Sequence, residues 1–401
     1  MRLASDWIGA DPFRRERPLD IVFCADAATL LATERAHGYS AVYGHRDSSD
    51  GARTFAPRGG CYEKLDLIAL LAAPQQDRRR LLAHELSHHA LESTMETTPD
   101  ALNEGFAEFV SYWSCHAPDA PPHAAGFLSS GYAARLAADL DSGKFPSLAE
   151  FIALDYWQFR DERLDFHPFA WSWSLIHLLA TATEPPLKDG FPRVVASLRR
   201  GEGLLAALGG LMPLDELDRR WRAHARAMVD AVPLEPLWMD FLVLDRRVVA
   251  ECDATGIALA LAARGGAWDG ATAIEAAFPP FPWRSIHAGF AVDGESRERF
   301  RLIGLCGDPP EVLFHRFEGD RFLATQTVAL PKDFDPSAAP LRLERGADGH
   351  ARLWQDVRLL ADFALDAGSS GRLGLYVEKR PVDDGSFVDA VFTFDDVTVE
   401  R

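Results

Sequence analysis

The residues of this chain best suited to chemistry are two histidines and two glutamates that lie close together in the sequence. Residues 84–88 form an H-E-x-x-H run, in which His84 and His88 are four positions apart and Glu85 follows the first histidine. Side chains four apart lie on one face of an α-helix, so two imidazoles at this spacing can bind one Zn²⁺ at about 2.0–2.1 Å. Glu85 lies on the neighbouring flank, where it can accept a proton from a metal-bound water without being a ligand.

A catalytic zinc site needs a third protein ligand, and Glu104 is the best candidate. It lies sixteen positions after His88, on a second segment whose apolar residues repeat with helical spacing. The segment 95–101, with two threonines and a proline, predicts the break between the two helices. Glu108 is one turn beyond Glu104 on the same face, where it can accept the second ring N–H of a ligand histidine. Asn103, next to Glu104, is the other residue that we predict to support the ligands.

The alternative to a metal site is a charged helix face in contact with solvent. Four apolar residues make this helix largely apolar instead: Leu81, Leu82, Leu86 and Ala90. A glutamate such as Glu85 is costly to bury without a partner, so we favour the metal site. His89 points away from the two ligand histidines, and we expect it on the surface or behind the site.

The combination of H-E-x-x-H with N-E-G-F-A-E-F at residues 103–109 resembles the motifs of the gluzincin zinc metallopeptidases. It is similar to their aminopeptidase N-like branch and to the bacterial peptidase MA-like domains. This resemblance implies zinc-dependent hydrolysis of peptide bonds, with Glu104 as the third zinc ligand and Glu85 as the general base. It extends to F-A-W-S-W-S-L-I-H at residues 169–177, which looks like the helix that packs behind the site in peptidase MA-like domains.

Two departures from the family limit what the resemblance implies. Many relatives carry a tyrosine where this chain has Phe169, so if that tyrosine donates to the oxyanion of the transition state, this chain has lost the donor or supplies it from another residue. The candidates are Tyr132, Tyr156 and His167, of which we favour His167 because it lies two positions before Phe169. The chain also lacks a G-A-M-E-N motif, which removes the main reason to predict an aminopeptidase. His177 lies among apolar residues of the same predicted helix, and we expect it to be a core histidine.

The composition is that of a globular protein with an acidic surface. The chain has 401 residues, enough for two domains, and a formal net charge of −18. An acidic protein does not favour phosphate backbones, so we expect no nucleic-acid partner. No run approaches the ~18 apolar residues of a membrane span, and residues 1–20 lack the apolar stretch of a signal peptide. We therefore expect a cytoplasmic protein, or a secreted one whose leader has been removed.

The first 236 residues are predicted to form a mainly helical domain with a small sheet. Strands are expected at 18–26 and 61–72, and one of them is expected to pair with an extended peptide substrate. In addition to the segment that carries Glu104, helices are expected at 27–37, 76–91, 126–140, 145–154, 169–182, 187–208 and 214–232. The three arginines at 78–80 favour a solvated helix face, and the alternative is that one of them binds a carboxylate.

Residues 237–401 are predicted to form an all-β sandwich, because short apolar or alternating runs are separated by turn residues. Strands are expected at 247–252, 256–262, 285–292, 300–306, 311–317, 321–330, 341–345, 352–359, 371–378 and 387–399. The last two runs resemble those of concanavalin A-like jelly rolls. A carbohydrate is a possible partner of such a domain, on which Trp283 and Trp354 could stack, although core packing explains them equally well.

The expected fold is therefore multidomain α+β, with a helical zincin-type metallopeptidase domain at 1–236 followed by an all-β jelly-roll sandwich at 237–401. The expected function is hydrolysis of a peptide or protein substrate by a zinc-dependent enzyme. The alternative is an inactive metalloprotease-like binding protein, in which the sandwich recognises a glycan or a protein partner. Phe169, in place of the family tyrosine, favours this alternative. A zinc with an open position would support the enzyme, and a fourth protein ligand would support the binding protein.

Overall fold

The structure is a computed structural model of the chain. The residues that it describes are 7–9, 19–24, 27–36, 59–62, 67–71, 78–95, 98–117, 119–159, 167–238, 241–252, 257–264, 266–280, 286–296, 299–306, 310–318, 321–365, 371–379 and 390–401. Among these residues, no helix combines the length and the apolar character needed to cross a membrane.

Helices dominate the described part of the first 231 residues. They are α1 (Ala27–Ala36), α2 (Arg78–Glu92), α3 (Asp100–His116), α4 (Ser130–Ser142), α5 (Leu148–Ile152), α6 (Tyr156–Phe159), α7 (His167–Thr181), α8 (Gly190–Arg199), α9 (Leu204–Gly209) and α10 (Leu214–Ala231). The described strands of this region are β1 (Asp20–Cys24), β2 (Gly59–Tyr62), β3 (Leu67–Leu71) and β4 (Leu128–Ser129).

The described chain that follows consists of strands and their connections. The strands are β5 (Leu234–Trp238), β6 (Phe241–Leu244), β7 (Arg247–Cys252), β8 (Ile257–Ala262), β9 (Ala273–Ala277), β10 (Ile286–Ser296), β11 (Arg299–Cys306), β12 (Glu311–Glu318), β13 (Arg321–Ala329), β14 (Leu341–Arg345), β15 (His350–Gln355), β16 (Arg358–Ala364), β17 (Arg372–Lys379) and β18 (Ala390–Glu400). The α+β class expected from the sequence is confirmed.

Two predicted elements of the first half are wrong, because the structure has two separate elements in the range where the sequence predicted one. The helix expected at 187–208 is α8 followed by α9, since Gly201 between them has φ 83°, a conformation that glycine adopts readily and that interrupts a helix. The strand expected at 61–72 is the antiparallel pair β2 and β3, with Tyr62 opposite Leu67. Three charged residues, Glu63, Lys64 and Asp66, lie between these strands in the sequence.

By the density of internal contacts the chain divides into two compact units. The first contains residues 1–126 and 142–225, and the second contains residues 127–141 and 226–401. Strand β4 and most of helix α4 thus belong to the second unit, although they lie within the first half of the sequence. The domain boundary expected after Pro236 stays a prediction.

The first unit holds a small sheet in which β3 is the central strand. It runs parallel to β1 and antiparallel to β2. Ile68, Ala69 and Leu70 are buried on both faces of the sheet, which explains why the run is apolar without alternation. The expectation that a substrate pairs with one of these strands stays a prediction.

Helices α3 and α7 form the buried centre of the first unit. Every residue of α3 from Ala101 to Trp113 is buried. The two helices approach closely at Gly105, where an added Cβ would lie 2.5 Å from Ser172 Oγ and 2.6 Å from Ile176 Cγ1. The Ser172 hydroxyl donates a hydrogen bond to Ala101 O at 2.6 Å. The glycine that follows Glu104 is therefore required by helix packing.

The second unit is a β-sandwich of two large antiparallel sheets. The seven-stranded sheet has the order β13-β12-β11-β10-β17-β8-β5, and the eight-stranded sheet has the order β16-β15-β14-β9-β18-β7-β6-β4. Alternate residues of the two sheets meet in one core, among them Phe290 and Leu375 of the first and Leu341 and Phe392 of the second. The all-β character predicted for this half is confirmed.

Residues 352–359 of the sandwich form parts of two strands and not one. The strand expected at 352–359 is wrong, because Asp356 adopts φ 52° in a tight turn and the run is the hairpin of β15 and β16.

Trp354 is half-buried on β15, opposite Arg342. Trp283 lies outside the described residues, so stacking of the two tryptophans on a sugar stays a prediction.

Candidate metal centre

Helix α2 presents its two motif histidines to one point, and helix α3 adds a carboxylate there. The Nε2 atoms of His84 and His88 are 3.0 Å apart. Glu104 Oε2 is 3.6 Å from each of them. Ligands about 2.0–2.1 Å from a tetrahedral zinc lie roughly 3.3 Å from one another, so the three atoms already have the spacing of a zinc triad. The break between residues 92 and 100 lets α3 turn back along α2 and deliver Glu104.

The site is buried and rich in carboxylates. The exposed fractions are 5% for Glu104, 7% for Glu85 and 9% for Glu108. Buried carboxylates need a compensating cation, and a divalent ion between two imidazoles would provide it. Without a metal, His84 itself takes this role: burial acts to lower its pKa, but hydrogen bonds with Glu104 and Glu108 outweigh this and raise the pKa to about 10.

Glu108 lies behind the first ligand histidine. Its Oε1 is 3.3 Å from His84 Nδ1, and its Oε2 is 3.7 Å from the Arg80 guanidinium. Burial acts to raise the pKa of Glu108, but the contacts with His84 and Arg80 hold it below its ordinary value. A charged Glu108 can accept the Nδ1–H of His84, and in a neutral ring this would leave the Nε2 lone pair directed at the candidate metal position.

For Arg80, the structure distinguishes the two interpretations of the arginines at 78–80, a solvated helix face or binding of a carboxylate. The Arg80 guanidinium lies beside Glu108 and 5.1 Å from the centre of the Tyr112 ring. Arg80 therefore contacts a carboxylate of the protein itself, and the expectation of a solvated face is wrong for this residue. The contact of Arg80 with Glu108 depends on where α3 packs against α2, which no local pattern in the sequence records.

The other residues of the motif occupy distinct positions. Glu85 is buried beside His84, and its negative charge contributes to the raised pKa of that histidine. The side-chain amide of Asn103 donates to Glu92 Oε1 at 2.6 Å, which connects α3 to the end of α2. The predicted support of the ligands by Asn103 stays a prediction. His89 is only 1% exposed, so the expectation of a surface position is wrong; α2 is buried on both sides at this point.

Among the described residues, the ligand-type group of His84, His88 and Glu104 does not include His167. His167 is the first residue of α7, half-buried, with its ring edge toward Trp171 at 6.3 Å between centres. Tyr132 lies in α4, and the side chain of Tyr156 is outside the described residues. The role of His167 stays a prediction.

His177 is a core histidine, as expected from the sequence. Its Nδ1 is 3.0 Å from His224 Nε2, and its Nε2 is 3.2 Å from the carbonyl oxygen of Gly126. Burial lowers the pKa of His177 to about 4. It is therefore a neutral ring that joins α7 to α10.

Comparison with known proteins found similarity to solved structures only, at low identity and over less than half of this chain. No family model matches the chain, and no curated protein matches it. Among solved structures it is similar to the carbohydrate-binding module CBM66 from Bacillus subtilis, with 19% identity and a TM-score of 0.31, over 42% of this chain and 96% of that one. It is also similar to the β-glucanase of Bacillus licheniformis, with 11% identity and a TM-score of 0.28, over 39% of this chain and 79% of that one.

Proposed function

We propose that this chain is a zinc-dependent peptide hydrolase whose metal is held by His84, His88 and Glu104. The observation that carries the proposal is the convergence of two imidazole Nε2 atoms and one carboxylate oxygen, 3.0–3.6 Å from one another. Two nitrogen ligands and one oxygen ligand form a donor set of the kind that catalytic zinc takes. The resemblance of the two motifs to gluzincin metallopeptidases supports the same choice.

The reaction needs a base close to the metal, and Glu85 has the properties for it. Zinc bound at this position would polarise the scissile carbonyl and lower the pKa of the attacking water. Glu85 follows a ligand histidine and is buried, so its carboxylate is kept out of bulk water. It takes a proton from the attacking water and delivers it to the leaving amine. Glu108 keeps His84 in the tautomer whose Nε2 accepts a metal.

A binding protein without peptidase activity is the second candidate. It rests on Phe169, which stands where many gluzincin-like relatives carry a tyrosine and which contacts Phe159 at 5.1 Å between ring centres. A phenylalanine cannot donate a hydrogen bond to an oxyanion. In this case the metal site would be kept for structure, and recognition of a partner would fall to the β-sandwich.

The deciding experiment combines metal content with hydrolysis of an unbiased peptide library. The wild-type protein, Glu85→Gln and His84→Ala are measured side by side. We expect Glu85→Gln to keep its zinc and lose turnover by a factor of 10² or more, because a proton transfer by a positioned base contributes about 10²–10⁴-fold. His84→Ala is expected to lose both zinc at this site and cleavage.

The possible outcomes separate the two candidates. Zinc in the wild type without cleavage of any peptide would favour the binding protein. Full turnover of Glu85→Gln would show that another residue is the base. A wild-type protein that binds no metal after reconstitution would remove the proposal.

A further inference from the structure

The outer face of the seven-stranded sheet carries a second group of ligand-type residues. Alternate residues of β10, namely Ala288, Phe290 and Val292, face the core between the two sheets. Ala291 lies in a separate apolar cluster on the opposite face, together with Tyr376. Side chains alternate along a strand, so His287 of β10 shares the face of Ala291. The same alternation places His315 of β12 and Glu378 of β17 there.

Three of these side chains converge although they come from three strands. His287 and Glu378 are directly opposite each other in the pairing of β10 with β17. His315 lies on β12, which β11 separates from β10. One ligand atom from each of the three residues lies within 4.8 Å of the other two, and His287 Nδ1 is 3.5 Å from Glu378 Oε2. The sheet thus brings together two imidazoles and one carboxylate, the same donor set as that of the first site.

The group is buried in the face of the sheet. The exposed fractions are 4% for His315 and 8% for Glu378, and 13% for the side chain of His287. A surface ion pair of histidine and glutamate would be far more exposed and would need no third residue from a distant strand. Two imidazoles and a carboxylate held together away from water are the environment in which a borderline divalent cation binds well.

Two glycines on the same face of the sheet make room for the ring of Tyr376. Gly289 of β10 and Gly304 of β11 are opposite each other, and Tyr376 of β17 pairs with Gly289. A Cβ at Gly304 would meet the Tyr376 hydroxyl, so the ring of Tyr376 extends over both glycines. The ring of Tyr376 and the two glycines thus lie on the face that carries the three candidate ligands, opposite the sandwich core.

We propose that His287, His315 and Glu378 form a second divalent-cation site, of the zinc type, in the β-sandwich. Within the described part of the chain, this group and the one on α2 and α3 are the two in which three potential ligand atoms approach this closely. The second site lies in a different compact unit from the first, and its ligands come from strands and not from helices. It does not depend on peptidase activity.

The test counts zinc in the full-length protein. The protein is stripped with a chelator, reloaded with Zn²⁺ and dialysed before the metal is measured. We expect about two zinc ions per chain in the wild type and about one in His84→Ala/His88→Ala, which retains the sandwich site. Adding His287→Ala to that double variant should remove the remaining ion. His350→Gln is the matched control, because His350 is a histidine of the same sandwich that pairs with Asp362 outside the group.

A second measurement distinguishes loss of the metal site from loss of the fold. His287 is the most exposed of the three, so its replacement disturbs packing least. In His84→Ala/His88→Ala, zinc should raise Tm in a concentration-dependent manner, and this rise should disappear in the triple variant while circular dichroism stays unchanged. A folded His84→Ala/His88→Ala protein that binds no zinc would overturn the second site and leave the peptidase proposal intact. One ion in both the wild type and this variant would support the second site and contradict the first.

Discussion

At the scale of single residues, the candidate metal centre depends on a carboxylate that is not itself a ligand. Glu108 Oε1 lies 3.3 Å from His84 Nδ1, and the same carboxylate pairs with Arg80. In a metal-bound, neutral ring its position would fix which nitrogen of His84 carries the proton, and therefore which one faces the proposed metal. Replacing residues with this role typically weakens metal affinity.

We predict that Glu108→Ala weakens zinc affinity roughly 10–100-fold, because the imidazole of His84 loses its orienting acceptor. Glu108→Gln should show a smaller loss, since its amide oxygen can still accept the hydrogen bond. Affinity is measured by competition with a chromophoric chelator. Glu92→Gln is the control, because its remaining oxygen can still accept the Asn103 hydrogen bond; it should bind zinc like the wild type. Equal affinity of Glu108→Ala and the wild type would show that His84 is oriented by other contacts.

At the scale of elements, the position of Glu104 depends on how closely α3 packs against α7. The approach is possible because Gly105 has no side chain, and the Ser172 hydroxyl adds a hydrogen bond to Ala101 O. A chain of contacts therefore connects the F-A-W-S-W-S run of α7 to Glu104, the proposed third ligand. The physical basis for the glycine after Glu104 is helix packing.

We predict that Gly105→Ala lowers the free energy of unfolding by roughly 1–3 kcal/mol, the usual cost of forcing a methyl group into a filled space. The loss occurs although alanine is the better helix former by about 1 kcal/mol. Urea denaturation followed by tryptophan fluorescence measures it.

Gly209→Ala is the matched control for this prediction, because Gly209 is also helical and an added Cβ there would lie 3.7 Å or more from its neighbours. It should leave stability unchanged or raise it by roughly 0.5–1 kcal/mol. If both variants were equally stable, the two helices could separate without cost and the packing argument would be wrong.

At the scale of the whole molecule, the end of the helical region and the start of the sandwich overlap along the sequence. The boundary expected after Pro236 falls inside β5, whose Leu234 pairs with Ala262 of β8 and is buried in the sandwich core. The backbone N–H of Ala263 also donates to Pro233 O at 2.8 Å. A chain that begins at residue 237 would lack most of this edge strand.

We predict that a fragment of residues 226–401 is more stable than a fragment of residues 237–401. Both lack β4 and α4, so they differ only in residues 226–236, which contain the end of α10 and the first residues of β5. The shorter one leaves β8 as an unprotected edge and exposes the core at the position of Leu234, which favours aggregation. Thermal unfolding and sedimentation of the two fragments test this, and identical behaviour would place β5 outside the cooperative unit.

The amino-acid sequence by itself determined those features of the protein that depend on local spacing. The i, i+4 histidines on α2, the return helix α3, the buried α7 and most strands of the sandwich follow from apolar periodicity and from turn residues, which act over a few positions. The candidate zinc triad belongs to the same class, since His84 and His88 are one turn apart and Glu104 is carried by the next helix.

Only the tertiary structure decided the features that depend on which surfaces meet. The contact of Arg80 with Glu108 depends on where α3 crosses α2, and the need for a glycine at Gly105 depends on its contact with Ser172. The group of His287, His315 and Glu378 could not be expected from the sequence, because 28 and 63 positions separate its successive members (315 − 287 and 378 − 315). Strand order and register bring them together, and both are set by long-range pairing that no local pattern records.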